Sequence, residues 1–227
     1  MMFYTLLVTI YYLVINFREL KEKSQREAKL TGLLKEAELN MLRSQIRPHF
    51  LFNSLNSISS LTMTDPARAQ EMVIKLSEFM RYSLNLPDTM MSTLEKELYH
   101  VELYLDIEKV RFGNRLVFEK KIEPGSEAWN LPVMILQPLI ENSVKYGVYE
   151  SAEPTRITIT AVPGDGVLEI RIGNTYDPEA KVKKGTGTGL KNIQARLLNL
   201  YGTSSLMKIK PSDNFFEVIL RIPEYAR

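Results

Sequence analysis

Ile140-Glu-Asn-Ser-Val-Lys-Tyr-Gly147 is the stretch on which the fold turns. Laid on a helix, Leu139, Ile140 and Val144 face one way, while Asn142, Lys145 and Tyr146, three and four residues apart, share the other side. An asparagine oxygen is a hard, neutral ligand of the kind Mg2+ accepts, with phosphate oxygens and waters as its other ligands. Lys145, one turn on, offers a point charge for a phosphate. Taken alone, this face reads equally as polar surface in water. Gly185-Thr-Gly-Thr-Gly-Leu190 downstream changes that weighing. Its three alternate glycines let the backbone approach a phosphate closely, and the helix after it turns free N–H groups toward an anion. Lys181, Lys183 and Lys184 stand just before it. A lone glycine run is a flexible loop; an Asn/Lys helix, a hairpin and a glycine run in this order read as a nucleotide site.

The segments around these two fill in an α+β domain. Arg115–Ile122 has the composition of a strand. Leu131–Gly147 reads as helical, with Pro132 near its start and Pro138 either kinking it or marking its true beginning. Ile157, Ile159 and Ala161 alternate with polar residues, as do Leu168, Ile170 and Ile172, and Pro163-Gly-Asp-Gly166 between them is a hairpin turn. A helix over Leu190–Tyr201 follows, then a hairpin with Phe216, Val218, Leu220 and Ile222 on one face. The expectation is a mixed, mostly antiparallel sheet with helices on one side.

The amino-terminal half is different in kind. Met1–Phe17 carries no charge and is rich in Leu, Val, Ile, Phe and Tyr, just within the ~17–25 residues that cross a bilayer. Arg18, Lys21, Lys23, Arg26 and Lys29 follow it, the pattern of a cytoplasmic flank. The expected arrangement is a transmembrane helix over 1–17, the last span of a longer membrane region, with a buried core helix as the alternative. A signal peptide would carry its charges before the apolar run. From Arg18 to Ser44, Leu30, Leu34, Ala37 and Met41 recur at coiled-coil spacing. Asp65-Pro66 is an N-cap with proline at the first helical position. The helix it opens places Ala69, Met72, Val73, Leu76, Met80 and Leu84 on one face, and two such hairpins from two copies make a four-helix bundle. Ser92–Glu95 reads as a capping box opening a third helix to about Phe112. The chain thus divides into 1–17, a helical dimerisation region 18–112, and a nucleotide-binding domain 113–227.

Within the helical region lies Gln45-Ile-Arg-Pro-His-Phe-Leu-Phe-Asn-Ser-Leu-Asn-Ser-Ile58. It sets His49, one of only two histidines in 227 residues, just behind a proline at the mouth of an apolar helix, where its ring is free to act as a nucleophile. The other, His100, lies amid Glu97, Glu102 and Asp106 and reads as a helix-surface histidine paired with carboxylates. There is no cysteine, which removes disulfides, thiolate metal sites and thiol catalysis. A net charge of +2 gives no broad basic face for nucleic acid.

Ile140–Gly147 resembles the N box, and Gly185–Leu190 the second glycine box, of the GHKL ATP-binding domain, a Bergerat-type α/β sandwich. Gln45–Ile58 is similar to the phosphoacceptor motif of the LytS/YehU-type sensor histidine kinases. The likeness runs from about Met41 to Arg227. It implies a dimeric kinase in the bacterial cytoplasmic membrane, its catalytic part in the cytoplasm. Such a kinase autophosphorylates on histidine and passes the phosphoryl group to a response-regulator aspartate, often on a regulator with a LytTR DNA-binding domain. By this resemblance His49 is the phosphoacceptor, Asn142 the Mg2+ ligand, Lys145 a contact to the phosphates of ATP, and Gly185, Gly187 and Gly189, with Leu190 at its end, the phosphate loop and lid edge. Tyr146 completes the polar face of the N box.

The sequence departs from the family in two places. The family's Asp-x-Gly turn, whose carboxylate accepts from the adenine amino group, has no aspartate at its place in Ile172-Gly-Asn-Thr-Tyr-Asp177. Asn174 can pair with adenine as amides do, or it only turns the chain; Asp177 is the other candidate. Phe50 follows His49 where many sensor kinases carry an acid, which leaves the base unassigned; Asn53, one turn on, either orients the ring or an attacking water, or caps a kinked helix. Two rivals remain. A GHKL ATPase would need a glutamate one turn before Asn142, where Pro138 stands and Glu141 projects elsewhere. A silent, membrane-tethered nucleotide-binding module would show no Mg2+-dependent ATP binding.

Overall fold

The computed structural model describes residues 17–18, 20–21, 48–84, 91–149, 151, 153–177 and 188–224. The expected span over 1–17, Phe17 apart, lies outside them, as do the coiled-coil seam, Lys181, Lys183, Lys184, Gly185 and Gly187. Among the described residues no helix is long and apolar enough to cross a membrane. The chain forms two compact units, Met1–Phe50 and Leu51–Arg227.

Helix α1 (Pro48–Thr64) and helix α2 (Pro66–Leu84) are joined at Asp65, whose side chain accepts from Arg68 N at 3.1 Å. This is the expected N-cap, and it satisfies one of the helix's orphan donors. The buried stripe of α2 is Ala69, Met72, Leu76, Phe79 and Ser83. Half of the expected face is buried, namely Ala69, Met72 and Leu76; Met80 is half-buried, and Val73 and Leu84 are 49% and 45% exposed. The reason is the partner helix. The aromatic Phe79 lies on the side that meets helix α3 (Leu94–Phe112), and burying it decides the rotation.

Strand β1 (Met91–Thr93) leads directly into α3. The N-cap is Thr93, accepting from Lys96 N, one residue beyond the expected capping box, because Ser92 is drawn into β1 opposite Leu131. Gly113 ends the helix at φ 55°, a left-handed conformation suited to glycine. Helix α3 is buried on two sides, since α2 covers one and the sheet the other. His100 is therefore a correction: it is 1% exposed and stacks between Phe79 (ring centroids 4.5 Å apart) and Tyr82 (4.4 Å). Its ring nitrogens have no hydrogen-bond partner among the described residues.

Five strands form the main sheet. They are β2 (Leu116–Ile122), β4 (Thr155–Gly164), β5 (Val167–Thr175), β6 (Met207–Pro211) and β7 (Phe215–Pro223), in the order β2-β4-β5-β7-β6. The pair β2–β4 is parallel and the others antiparallel. The sheet is thus mixed and mostly antiparallel, as expected. The short strand β3 (Asn130–Pro132) pairs with β1. Packing consequently runs unbroken through residue 113, where the sequence reading divides the chain. Ile157, Ile159 and Ala161 on β4, Leu168, Ile170 and Ile172 on β5, and Val218, Leu220 and Ile222 on β7 are all 2% exposed or less. Each of these Val, Leu and Ile side chains taken from water contributes roughly 1.5–3 kcal/mol.

The expected long helix over Leu131–Gly147 is shorter than its apolar composition indicates. Residues 131–136 are strand end and loop, and helix α4 covers only Gln137–Ser143. Pro138 marks its true beginning. The chain then widens into a π-helical turn, Val144–Tyr149. Helix α5 (Thr188–Tyr201) packs beside α4, and α3, α4 and α5 together cover one face of the sheet.

Candidate active site

Asn142 stands half-buried in the last turn of α4. Its amide makes no hydrogen bond to another described residue. Gly189, in the first turn of α5, lies beside it: a Cβ there would be in ordinary contact, 3.7 Å from Asn142 Nδ2. Leu190 follows, half-buried. The structure thus brings the end of the glycine run against the Asn/Lys helix, although 47 residues separate them in sequence.

The π turn carries Lys145 and Tyr146. Lys145 is exposed, with Nζ 4.8 Å from the Tyr146 ring centroid and 3.4 Å from its hydroxyl. π turns are rare and recur at functional sites. Gly147 then passes over the ends of β4 and β5: a Cβ on it would sit 2.5 Å from Thr155 Cγ2, 3.0 Å from Thr175 O and 3.2 Å from Asn174 Nδ2. Only glycine fits, and the π segment lies on the strand ends because of it.

Asn174 continues the row Leu168, Ile170, Ile172 on the helix-facing side of β5 and is 2% exposed. Its amide nitrogen donates to Thr175 O at 3.0 Å. Gly173 faces the other way, and there a Cβ would meet Phe215 Cζ at 2.3 Å. An aspartate at 173 would collide with that ring and face away from the helix layer. Asp177 is half-buried beyond the end of β5. His49 is exposed on α1. Among the described residues no cluster of three His, Asp or Glu side chains is arranged to hold a metal ion.

The geometry rests beside comparisons with known proteins. The histidine kinase family model matches residues 37–116. The sensor protein LytS of Bacillus anthracis is 32% identical over 201 residues, covering 83% of this chain and 34% of that protein. The sensor histidine kinase YpdA of Escherichia coli is 33% identical over 186 residues, covering 78% and 33%. The chain belongs to the LytS-type histidine kinase family. It spans about a third of the length of the curated relatives it matches. Among solved structures, the Acinetobacter baumannii histidine kinase AdeS aligns at TM-score 0.46 and 14% identity, over 83% of this chain and 95% of that one.

Four ionisable groups around this family member's site are not among the candidates read from sequence. Glu97, 2% exposed, accepts from Met134 N (2.7 Å), Ile135 N (3.0 Å) and Leu136 N (3.4 Å), and from the Tyr82 hydroxyl at 3.3 Å. Burial pushes its carboxyl up, and these donors pull it back. Arg196 on α5 donates to Val133 O; burial lowers its pKa and the Glu97 charge opposes that. Glu108 is 4% exposed. Burial pushes it up to about 7, against the Arg111 charge and the Tyr149 hydroxyl, and the Glu141 charge adds to the rise. Tyr149 accepts from Arg111 Nη1 at 2.7 Å, donates to Glu108 at 3.4 Å and is hydrogen-bonded to Asn53 of α1. The signal for Glu97 and Glu108 was present in the sequence: both fall on the apolar stripe of α3 with Leu94, Leu98, Val101 and Leu105.

Proposed function

We propose that this chain is the kinase part of a two-component sensor, autophosphorylating on His49 from ATP and passing the phosphoryl group to an aspartate of a response regulator, possessed in this family reading of a LytTR-type output. An imidazole nitrogen of His49 attacks the γ-phosphorus, the N–P bond forms, the bond to the β–γ bridging oxygen breaks, ADP leaves and the ring proton passes to solvent. Such transfer is mainly positioning and electrostatics. The observation that supports this most directly is the contact of Gly189 with the amide of Asn142, which has no hydrogen-bond partner among the described residues; the contact joins the two nucleotide motifs in one place.

In this reading Asn142 holds Mg2+ through its amide oxygen. The metal supplies charge neutralisation at the phosphates. Lys145 offers its ammonium to the same phosphates, with Tyr146 steadying it. Gly185, Gly187, Gly189 and Leu190 form the phosphate loop. Asn174 receives the adenine, a role favoured by its place on the helix-facing side of β5, and Asp177 lies at the rim. The nucleotide-binding unit then starts at Met91, ahead of residue 113, since β1 and α3 pack with it. The exposed Phe52 and Leu55 on α1, with Val73 and Ile74 on α2, supply an apolar face for a second copy, as a homodimeric bundle requires. The membrane location, with the catalytic part in the cytoplasm, rests on Met1–Phe17 and the positive flank after it.

Incubation of the chain with γ-labelled ATP tests the reading. The expected label is acid-labile and alkali-stable, and His49→Gln abolishes it. Stable label on the His49→Gln chain rules His49 out as the acceptor. A silent module would bind ATP not at all, or without regard to Mg2+.

A further inference from the structure

Three successive backbone N–H groups, of Met134, Ile135 and Leu136, converge on the carboxylate of Glu97. Such a run of N–H groups forms an anion-binding concavity, and here a side chain 37 to 39 residues earlier fills it. Met134 sits at φ 59°, the one non-glycine residue at positive φ among the described residues. Side-chain-bearing residues hold that conformation only where their surroundings over-determine it. The surroundings here are Glu97 of α3 on one side and Arg196 of α5, bound to Val133 O, on the other.

The gripped loop ends where α4 begins. Leu136 is the N-cap residue of α4, with no side-chain cap of its own. A helix of only seven residues takes its position from its ends: the π turn fixes one, on the sheet, and the 133–136 loop fixes the other. Asn142 rides between them. Glu97 has a fourth donor, the Tyr82 hydroxyl on α2, which is also hydrogen-bonded with Ser92 of β1 at 3.3 Å. Tyr82 belongs to α2 while its ring stacks on His100 of α3, so its hydroxyl reaches Glu97 only while α2 stays docked on α3.

We propose that Glu97 is a positioning residue for nucleotide binding, acting on Asn142 through the 133–136 loop, and that Tyr82 makes this grip depend on the position of α2. The proposal rests on the kinase reading above. It gives movement of the phosphoacceptor hairpin a physical route to the ATP site: a shift of α2 withdraws one donor from Glu97, the loop loosens, and α4 carries Asn142 away from Gly189.

The test uses the full chain, Mg2+ and trinitrophenyl-ATP as the probe, with hydrogen exchange of peptides covering residues 133–136. Glu97→Gln keeps the size of the side chain but turns one acceptor oxygen into a donor facing backbone N–H groups. It is expected to weaken Mg2+-dependent probe binding by about tenfold or more and to speed exchange at Met134–Leu136, while urea unfolding stays cooperative. Glu97→Asp, still an acceptor at both oxygens, should recover part of the affinity. Tyr82→Phe keeps the ring stack and removes only the hydroxyl. It should speed the same exchange and raise KM for ATP about threefold, with kcat for the bound complex little changed. This variant also carries the test if Glu97→Gln fails to fold. A folded Glu97→Gln chain that binds the probe as tightly as wild type, or a Tyr82→Phe chain with unaltered exchange and KM, overturns the proposal alone. A wild-type chain that binds no probe overturns the kinase reading and this proposal with it.

Discussion

The ring of His100 makes a quantitative prediction about acid. Burial lowers its pKa from 6.5 to about 4, and no described group is hydrogen-bonded to either nitrogen. Between these two values the unfolded chain binds a proton that the folded chain does not. Stability from this group is therefore whole above 6.5 and is lost progressively as pH falls toward 4. At 1.36 kcal/mol per unit, the loss between about pH 8 and about pH 5 is roughly 2 kcal/mol. Glu108 works in the opposite direction. Its pKa is raised from 4.5 to about 7, so the folded chain binds the extra proton and stability falls as pH rises through that window. The wild-type profile mixes both effects. The difference between wild type and His100→Phe isolates the histidine, because phenylalanine fills the slot between Phe79 and Tyr82 and cannot titrate. Urea unfolding at a series of pH values should show the variant gaining on wild type by roughly 2 kcal/mol from about pH 8 to about pH 5. A constant difference across that range would refute the argument that a neutral ring is required there.

Other outcomes follow from the site. Asn142→Ala should cut Mg2+-dependent nucleotide affinity by about tenfold or more and leave the unfolding midpoint nearly unchanged, since its amide has no described protein partner; isothermal titration and urea unfolding on the same sample check both. Gly147→Ala forces a methyl group against Thr155 and the Asn174 amide. Overpacking of roughly 1–3 kcal/mol should outweigh the ~1 kcal/mol that replacing a helical glycine returns, and nucleotide binding should fall with stability. Tyr149→Phe removes the hydroxyl bound by Arg111 and shared with Glu108. It should destabilise by about 1–2 kcal/mol and move the Glu108 titration upward, as followed by carboxyl carbon NMR.

Much of the sheet was legible because β4 and most of β5 bury one face, so alternation of Ile and Leu with polar residues records their register, whereas β7 buries Val218, Ile219 and Leu220 in succession. The same alternation carries Asn174 to the helix side. Residues 131–136 were misread for a definite reason. Leu131, Val133, Ile135 and Leu136 are buried, and an apolar run of that length has the composition of a core helix. Its backbone is instead held by a carboxylate on another helix, a constraint with no local trace. His100 was misread because nearby acids on its own helix suggested a surface, whereas α3 is covered from two sides by residues distant in sequence. The rotation of α2 turned on Phe79 finding His100 and Tyr104, which no single-helix pattern reveals.

The strand end at Gly173–Asn174 limits which acidic side chains the site can hold. An acid at 173 is shut out by the Phe215 ring until that residue shrinks. An acid at 174 would set a carboxylate oxygen where the amide nitrogen now meets the Thr175 carbonyl at 3.0 Å, turning attraction into repulsion. Each position excludes an acid by a different contact, a side chain at 173 and a backbone carbonyl at 174, so a smaller residue at 215 would open the first and leave the second closed.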